Sequence, residues 1–372
     1  MVAGSPASQA AELEATHGRV GAALRGQVRV PRFSAIWVAT ALLFAVSPLL
    51  AHGSLGHSAL LSMLPFAAIL AIASIGQTLV VQQRGLDLSV PGMITLTTIV
   101  VTKVPNGDEH RLPAAIGLAL LACTLAGLVS GVAISRLSIT PLVATLGVNA
   151  LLLGVVYQIT SGSSTAAATP GLARFALAKT GGIPNTVLIA AGAVLVVEIV
   201  SRATLIGRRF LAVGTSPAAA RAAGIRVGTY ELLTYVLAGV AYCVAGILVA
   251  GFLGTPGIGA GQDYLLPTIA AVVLGGTSLA GGSGSVLATA IGALFLTQLE
   301  QVVLGMGAPS SVQLVIQGSI IALGMALRNV PWRRLELHRP FAQLAPAPAP
   351  KTPSRLRAAD HDHHRGRGGS HE

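Results

Sequence analysis

Few side chains in this sequence are placed to do chemistry. The clearest set is Thr145, Asn149 and Tyr157, which lie in one apolar stretch at spacings of four and eight. In a helix they share roughly one face, a stripe of hydroxyls and an amide. Such a stripe suits a polyhydroxyl solute moving past uncharged groups. The same groups equally serve interhelical hydrogen bonding, worth about 0.6 kcal/mol per contact in a membrane bundle. A second candidate is Asp87 in GLDLSV, with Ser89 beside it, ahead of a helix starting at Leu88 or Ser89. Two roles are open to Asp87: capping that helix, or orienting a break in the chain that lines a pathway. Glu198, Glu231 and Glu300 fall near the ends of apolar segments, where snorkelling or pairing with a cation is the default. His361, His363, His364 and His371 are irregularly spaced and read as a solvated tail. No catalytic residues and no metal site are assigned.

The elements around these residues are membrane helices. The 372 residues are 53% hydrophobic and 10% charged, far too apolar for a soluble chain of this length. Ten apolar runs stand near the ~20 residues that span a ~30 Å hydrocarbon core: 33–51, 58–81, 90–103, 113–134, 140–159, 183–200, 231–251, 265–279, 285–304 and 311–327. The third and eighth are short and read as broken or half-spanning. The expected fold is an all-α integral membrane bundle of about ten helices: an N-terminal cytoplasmic tail (1–32), a transmembrane domain (33–327) and a C-terminal tail (328–372). The N-terminal arginines precede the first run without a cleavage site, which fits a retained signal anchor. Glycine and alanine within the runs allow close backbone approach. Cys123 and Cys243 lie inside spans and read as small buried side chains.

The formal net charge of +11 follows topology. Arginine and lysine cluster at the N-terminus, near Arg84, at Arg136, across 202–226 and after Arg328, whereas 52–57, 252–264 and 305–310 have none. The positive-inside rule puts both termini and the 201–230 loop in the cytoplasm. No nucleic-acid partner is implied; lipid is the partner of the apolar surface.

Two places interrupt the apolar helices: QQRGLDLSVPG at 82–92, and LGGTSLAGGSGS at 274–285, which contains Gly275 and Gly276. Corresponding breaks of this kind mark the pathway in inverted-repeat transporters. The 201–230 loop is different again. Ser216 suits an N-cap, Pro217 the first helical position, Ala218 to Ala223 the body, and Gly224 a left-handed C-cap. They predict a helix of about two turns, roughly 10 Å long, with a methyl-rich face flanked by Arg208, Arg209, Arg221 and Arg226. It reads as a peg for a partner's cleft.

Three blocks resemble the ribose-type ABC importer permeases. They are GLDLSV at 85–90, IAAVVLGGTSLAGGSGS at 269–285, and the loop with Gly207, Arg208, Gly214, Ala219, Ala220, Arg221, Gly224 and Ile225. The similarity runs from about residue 60 to 327. Arg84 departs from it, standing where that family usually has glycine, as do Thr215 and Ser216, which replace Gly-Asn. The resemblance implies a bacterial inner-membrane permease subunit for a sugar or sugar-like solute, working as a homodimer or heterodimer. An extracytoplasmic solute-binding protein would deliver the substrate. The coupling residues it implies are Gly207, Arg208, Gly214, Ser216, Ala219, Ala220, Arg221 and Gly224; the pathway or gate residues are Asp87, Ser89, Thr145, Asn149, Tyr157, Gly275 and Gly276. No phosphate-binding G-x-x-x-x-G-K-[ST] occurs, and the lysines are Lys103, Lys179 and Lys351 alone. ATP and magnesium are therefore expected on separate ATPase subunits, and this chain is expected to be no enzyme and to carry no cofactor. The rival readings are an ion-coupled secondary transporter and a non-transporting scaffold. Against the first stands the lack of buried coupling carboxylates.

Overall fold

The computed structural model describes residues 34–163, 166–309, 311, 312, 314–319 and 322. The N-terminal tail, the C-terminal tail with its histidines, and the end of the 311–327 run lie outside the described residues.

The described chain is almost wholly helical. In order it forms α1 (Ser34–Leu50), α2 (His57–Gln82), α3 (Val90–Lys103), α4 (Leu112–Ser135), α5 (Pro141–Thr160) and α6 (Pro170–Leu177). A two-strand antiparallel hairpin follows, β1 (Lys179–Thr180) pairing with β2 (Ile183–Pro184). Then come α7 (Asn185–Ala203), α8 (Leu205–Thr215), α9 (Pro217–Ala222), α10 (Val227–Leu253), α11 (Leu265–Leu274) and α12 (Val286–Gly305). Six helices are long and apolar enough to cross a membrane: α2, α4 with the turn before it, α5, α7, α10 and α12. Three more, α1, α3 and α11 with its leading turn, are apolar but shorter.

Among the described residues six helices, not the expected ten or so, are long enough to cross a membrane. The eighth run stops at Leu274, not 279, because Gly275 and Gly276 end it. The connection between α5 and α7 carries α6, capped by Thr169 Oγ1 accepting from Leu172 N at 3.4 Å. Within the 201–230 loop the peg is preceded by a second helix, α8, with Thr204 Oγ1 accepting from Gly207 N at 3.1 Å.

α10 is the axis of the packing and touches α2, α3, α4 and α6; α12 packs on α1, α2 and α11. Small residues make the contacts close. A β-carbon on Gly239 would overlap the Cys123 carbonyl of α4, and one on Gly127 would overlap that of Tyr235. Few polar groups add direction: Gln298 Nε2 donates to Ser47 Oγ at 2.8 Å, tying α12 to α1, and Thr78 Oγ1 donates to Thr289 Oγ1 at 3.1 Å, tying α2 to α12.

This packing predicts that Gly127→Ala and Gly239→Ala each cost about 1–3 kcal/mol by forcing α4 and α10 apart. Gly117→Ala, where the added methyl meets open space, should gain up to about 1 kcal/mol from helix propensity. Thermal unfolding of the detergent-purified chain, followed by size-exclusion chromatography, measures the difference.

Candidate coupling and pathway site

Four helices end in the same way: α12, through Gly307 and Ala308, and the three that bear on the interruptions and the peg. At the end of α2, Gly85 N donates to Val80 O at 3.0 Å and Arg84 N to Val81 O at 2.9 Å. At the end of α9, Ile225 N donates to Ala220 O at 3.0 Å and Gly224 N to Arg221 O at 2.9 Å. At the end of α11, Thr277 N donates to Val272 O at 3.2 Å and Gly276 N to Val273 O at 3.0 Å. Each is a paired C-terminal cap, which needs one residue in the left-handed region. Gly224 (φ +77°) and Gly276 (φ +80°) occupy it without steric cost, but in α2 the residue is Arg84 at φ +67°. A non-glycine there costs roughly 1–2 kcal/mol, so its side chain must supply something glycine cannot.

It supplies a clamp. Arg84 Nε donates to the Gly214 carbonyl at 2.8 Å and the guanidinium also bonds the Thr215 carbonyl. These are C-terminal carbonyls of α8, where a cation is favoured by the helix dipole as well as by the hydrogen bonds. Next to it Gln83 Nε2 donates to Phe210 O of α8 at 2.8 Å. The second interruption closes the ring: Gly282 N donates to Gln82 O at 2.9 Å, and Thr215 Oγ1 lies 3.4 Å from Gly282 O. Gly214 has to be glycine here, because a β-carbon would overlap Gln82 O and come within 2.9 Å of Gly282 N. The break after α2, the break after α11 and the start of the peg therefore share one junction.

Glu198 anchors the same region from α7. It accepts from Val286 N at 2.8 Å, Leu287 N at 3.3 Å and Ser285 Oγ at 2.9 Å, and pairs with Arg202. The carboxylate thus caps α12 at its positive end, a contribution of about 1 kcal/mol. The pairing with a cation is the expected default; the cap is not visible from spacing, because the two sites are 87 residues apart in sequence.

The peg helix α9 has Ser216 as N-cap, its Oγ accepting from Ala219 N at 3.3 Å. Ala218, Ala219, Arg221, Ala222 and Ala223 are exposed. Ala220 is not: it is 4% exposed and packs with Val213 and Val227. Gly207 is likewise internal, since a β-carbon would overlap carbonyls of α7, while Arg208 is exposed. Of the eight coupling candidates, Ala220, Gly207 and Gly214 therefore shape the segment, and Arg208, Ala219, Arg221 and Gly224 lie on its surface.

Of the pathway candidates, four meet at the first interruption. Asp87, Ser89 and Thr145 are fully buried. Asp87 Oδ1 accepts from Ser89 N at 2.8 Å and from the Ser89 hydroxyl. Helix α3 begins at Val90 with Ser89 as its N-cap, so Asp87 holds the cap residue and makes no bond to the helix's own amides. From α5, Thr145 Oγ1 accepts from Leu88 N at 3.0 Å and Asn149 Oδ1 from Gly92 N at 2.8 Å. Tyr157 does not join them and is 54% exposed. Twelve residues at 100° each leave it about 120° around the helix from Thr145, so the expected shared face drifts apart. Gly275 packs on α12, where a β-carbon would come within 2.7 Å of the Thr289 backbone. It sits with Gly276 at the second interruption, away from the α5 side chains.

Asp87→Ala leaves the Ser89 amide and hydroxyl buried without an acceptor, a loss of about 2–4 kcal/mol; Asp87→Asn keeps an oxygen there and should cost less than about 1 kcal/mol. Thermal unfolding of the two purified variants distinguishes these outcomes.

The family described as branched-chain amino acid transport system / permease component matches residues 59–325. The ribose import permease protein RbsC of Escherichia coli (strain K12) is 32% identical over 296 residues, 78% of this chain and 92% of the relative. The autoinducer 2 import system permease protein LsrD of Photorhabdus laumondii is 32% identical, covering 73% of this chain and 83% of the relative. The galactofuranose transporter permease protein YtfT of Escherichia coli (strain K12) is 34% identical, covering 68% and 75%. No solved structure matches the chain. With the family matched across all three motifs and the helices that carry them, the chain belongs to the permease components of ATP-binding cassette importers and is a multi-pass membrane protein.

Proposed function

We propose that the chain moves a sugar or sugar-like solute into the cytoplasm, driven by a separate pair of ATPase subunits that seat the α9 helix. The observation that carries this reading is the junction: the exposed peg is wired through α8 and Arg84 to both helix interruptions. The three relatives named above, whose names specify ribose, autoinducer 2 and galactofuranose, support the solute class. A pathway beside Thr145, Asn149 and the α3 break offers amides and hydroxyls, which fits a polyhydroxyl solute.

The mechanism is differential binding between two states. ATP binding on the partners favours one separation of the pair, and a rigid peg on each permease copy passes that preference to the membrane helices. A two-turn helix is unstable alone, so rigidity must come from packing. The burial of Ala220 against Val213 and Val227 and the caps at both ends provide it. Arg84 carries the displacement on: its bonds to Gly214 and Thr215 make α8 and the end of α2 move as one piece. ATP and magnesium reside on the partner, a binding protein delivers solute from outside, and two permease copies, identical or homologous, enclose the path. The short helices α1, α3 and α11 and the segment after residue 311 complete about ten crossings, with both termini and the peg inside.

Single cysteines test the topology. A membrane-impermeant thiol reagent applied to intact cells should label positions 55, 258 and 307 and spare 215. Strong labelling at 215 reverses the assignment.

Ala219→Asp puts an unpaired charge on the exposed face of α9 and should cost several kcal/mol of ATPase affinity, seen as loss of co-purification. Gly224→Pro removes the amide that bonds Arg221 O and cannot adopt φ +77°, so uptake should fall below a tenth of wild type with the protein still in the membrane. Arg84→Gly separates linkage from backbone: it relieves the left-handed strain, keeps the fold, and should lower solute moved per ATP severalfold in reconstituted vesicles. Normal uptake by all three variants overturns the coupling role.

A further inference from the structure

Two surface grooves lie end to end on this chain. The first, about 540 Å³, lies between α8, the turn after α9 and the start of α10; its basic members are Arg209 and Arg226. The second, about 360 Å³, lies between α7 and α10, over a floor from α2. Ile206 of α8 borders both. So does one stripe of α10: Tyr230 and Leu233 line the basic groove, and Leu237, Val240 and Val244 continue along the apolar one at helical spacing.

The chemistry changes sharply from one groove to the next. Arg209 and Arg226 are exposed, and among the described residues neither forms a salt bridge. The apolar groove is walled by side chains such as Val196, Val200 and Leu237, with Ser201 its one hydroxyl-bearing member. From Leu233 to Val244 the stripe runs eleven residues, about 16 Å at the helical rise. That is close to half of a ~30 Å hydrocarbon core, the depth of one leaflet. Basic charge at one end and one leaflet of apolar wall behind it match an amphiphile with an anionic head and a hydrocarbon tail. On the topology proposed above, the head end is the cytoplasmic one, and this inference rests on that reading for its side of the membrane. Clustered arginines at the cytoplasmic end of membrane helices attract anionic lipid.

We propose that this pair of grooves is a binding site for one anionic phospholipid, its phosphate between Arg209 and Arg226 and an acyl chain along α10 between α7 and α8. The site sits on the same helix, α8, whose C-terminus carries the Arg84 clamp, so lipid occupancy bears on the position of the peg. Neither arginine belongs to the clamp itself.

The test uses the full-length purified chain and needs neither ATPase nor substrate, so its failure leaves the importer reading intact. Native mass spectrometry in detergent is run against phosphatidylglycerol and phosphatidylcholine in titration. The wild type should retain one phosphatidylglycerol about tenfold more tightly than phosphatidylcholine. Arg209→Gln with Arg226→Gln should erase that preference, whereas Arg209→Lys with Arg226→Lys should largely keep it. Leu237→Trp, which fills the apolar groove, should weaken both lipids. Inorganic phosphate at millimolar concentration should not displace the lipid, because it lacks the tail. Equal retention of the two lipids by the wild type overturns the proposal, as does a preference unchanged in the double glutamine variant. So does efficient cross-linking, in native membranes, of a cysteine at Leu233 to a second permease copy or to the ATPase, which would make the grooves a protein interface.

Discussion

The end of a helix leaves carbonyl and amide groups without partners inside the helix, and the rest of this structure depends on where those groups go. In this chain they go to one another. The carbonyl of Gln82, at the end of α2, accepts from Gly282 in the second break, and the carbonyls that end α8 accept from Arg84 in the first. Satisfying the ends of α2 and α8 with bonds from the two breaks requires these segments to lie together, and that requirement ties the start of α9 to both interruptions. A permease needs such a connection, because motion supplied from outside the membrane has to reach the pathway before the backbone absorbs it.

The close approaches explain the residue types. At Gly214 and Gly282 the backbones of α8 and the second break leave no room for a β-carbon. Between α4 and α10 the small residues at Gly127 and Gly239 do the same for whole helices. Apolar side chains do not distinguish a neighbouring helix from lipid tails, so shape and a few polar bonds have to set the register. The bonds from Gln298 to Ser47, from Thr78 to Thr289 and from Glu198 to the start of α12 are of that kind.

Arg84 shows how a local cost serves a distant contact. Glycine at the end of α2 would cap the helix with no strain, but it would leave the C-terminal carbonyls of α8 to find other donors. The arginine accepts a left-handed backbone and supplies a charged, forked donor where the α8 dipole is negative. On the other flank of α8, Arg209 and Arg226 form no salt bridge among the described residues, and their groove adjoins the apolar groove along α10.

Much was legible in the sequence, because membrane helices and their caps are local. A run of apolar residues must be helical in lipid, and Ser216, Pro217 and Gly224 specify the start and stop of α9 whatever surrounds them. The two interruptions were legible for the same reason, being clusters of glycine and polar residues inside apolar runs. What only the tertiary structure decided was which of these pieces meet. Helical spacing placed Tyr157 beside Thr145, but over twelve residues the 3.6-residue turn carries it to another face. Composition made Ala220 one alanine among five in the peg, and only the presence of Val213 and Val227 beneath it turned that alanine inward. The bonds of Arg84 to Gly214 and of Glu198 to Val286 join residues 130 and 88 positions apart. No periodicity or propensity reaches that far along a chain, since contact at such separation is set by how whole helices pack and not by any residue's neighbours in sequence.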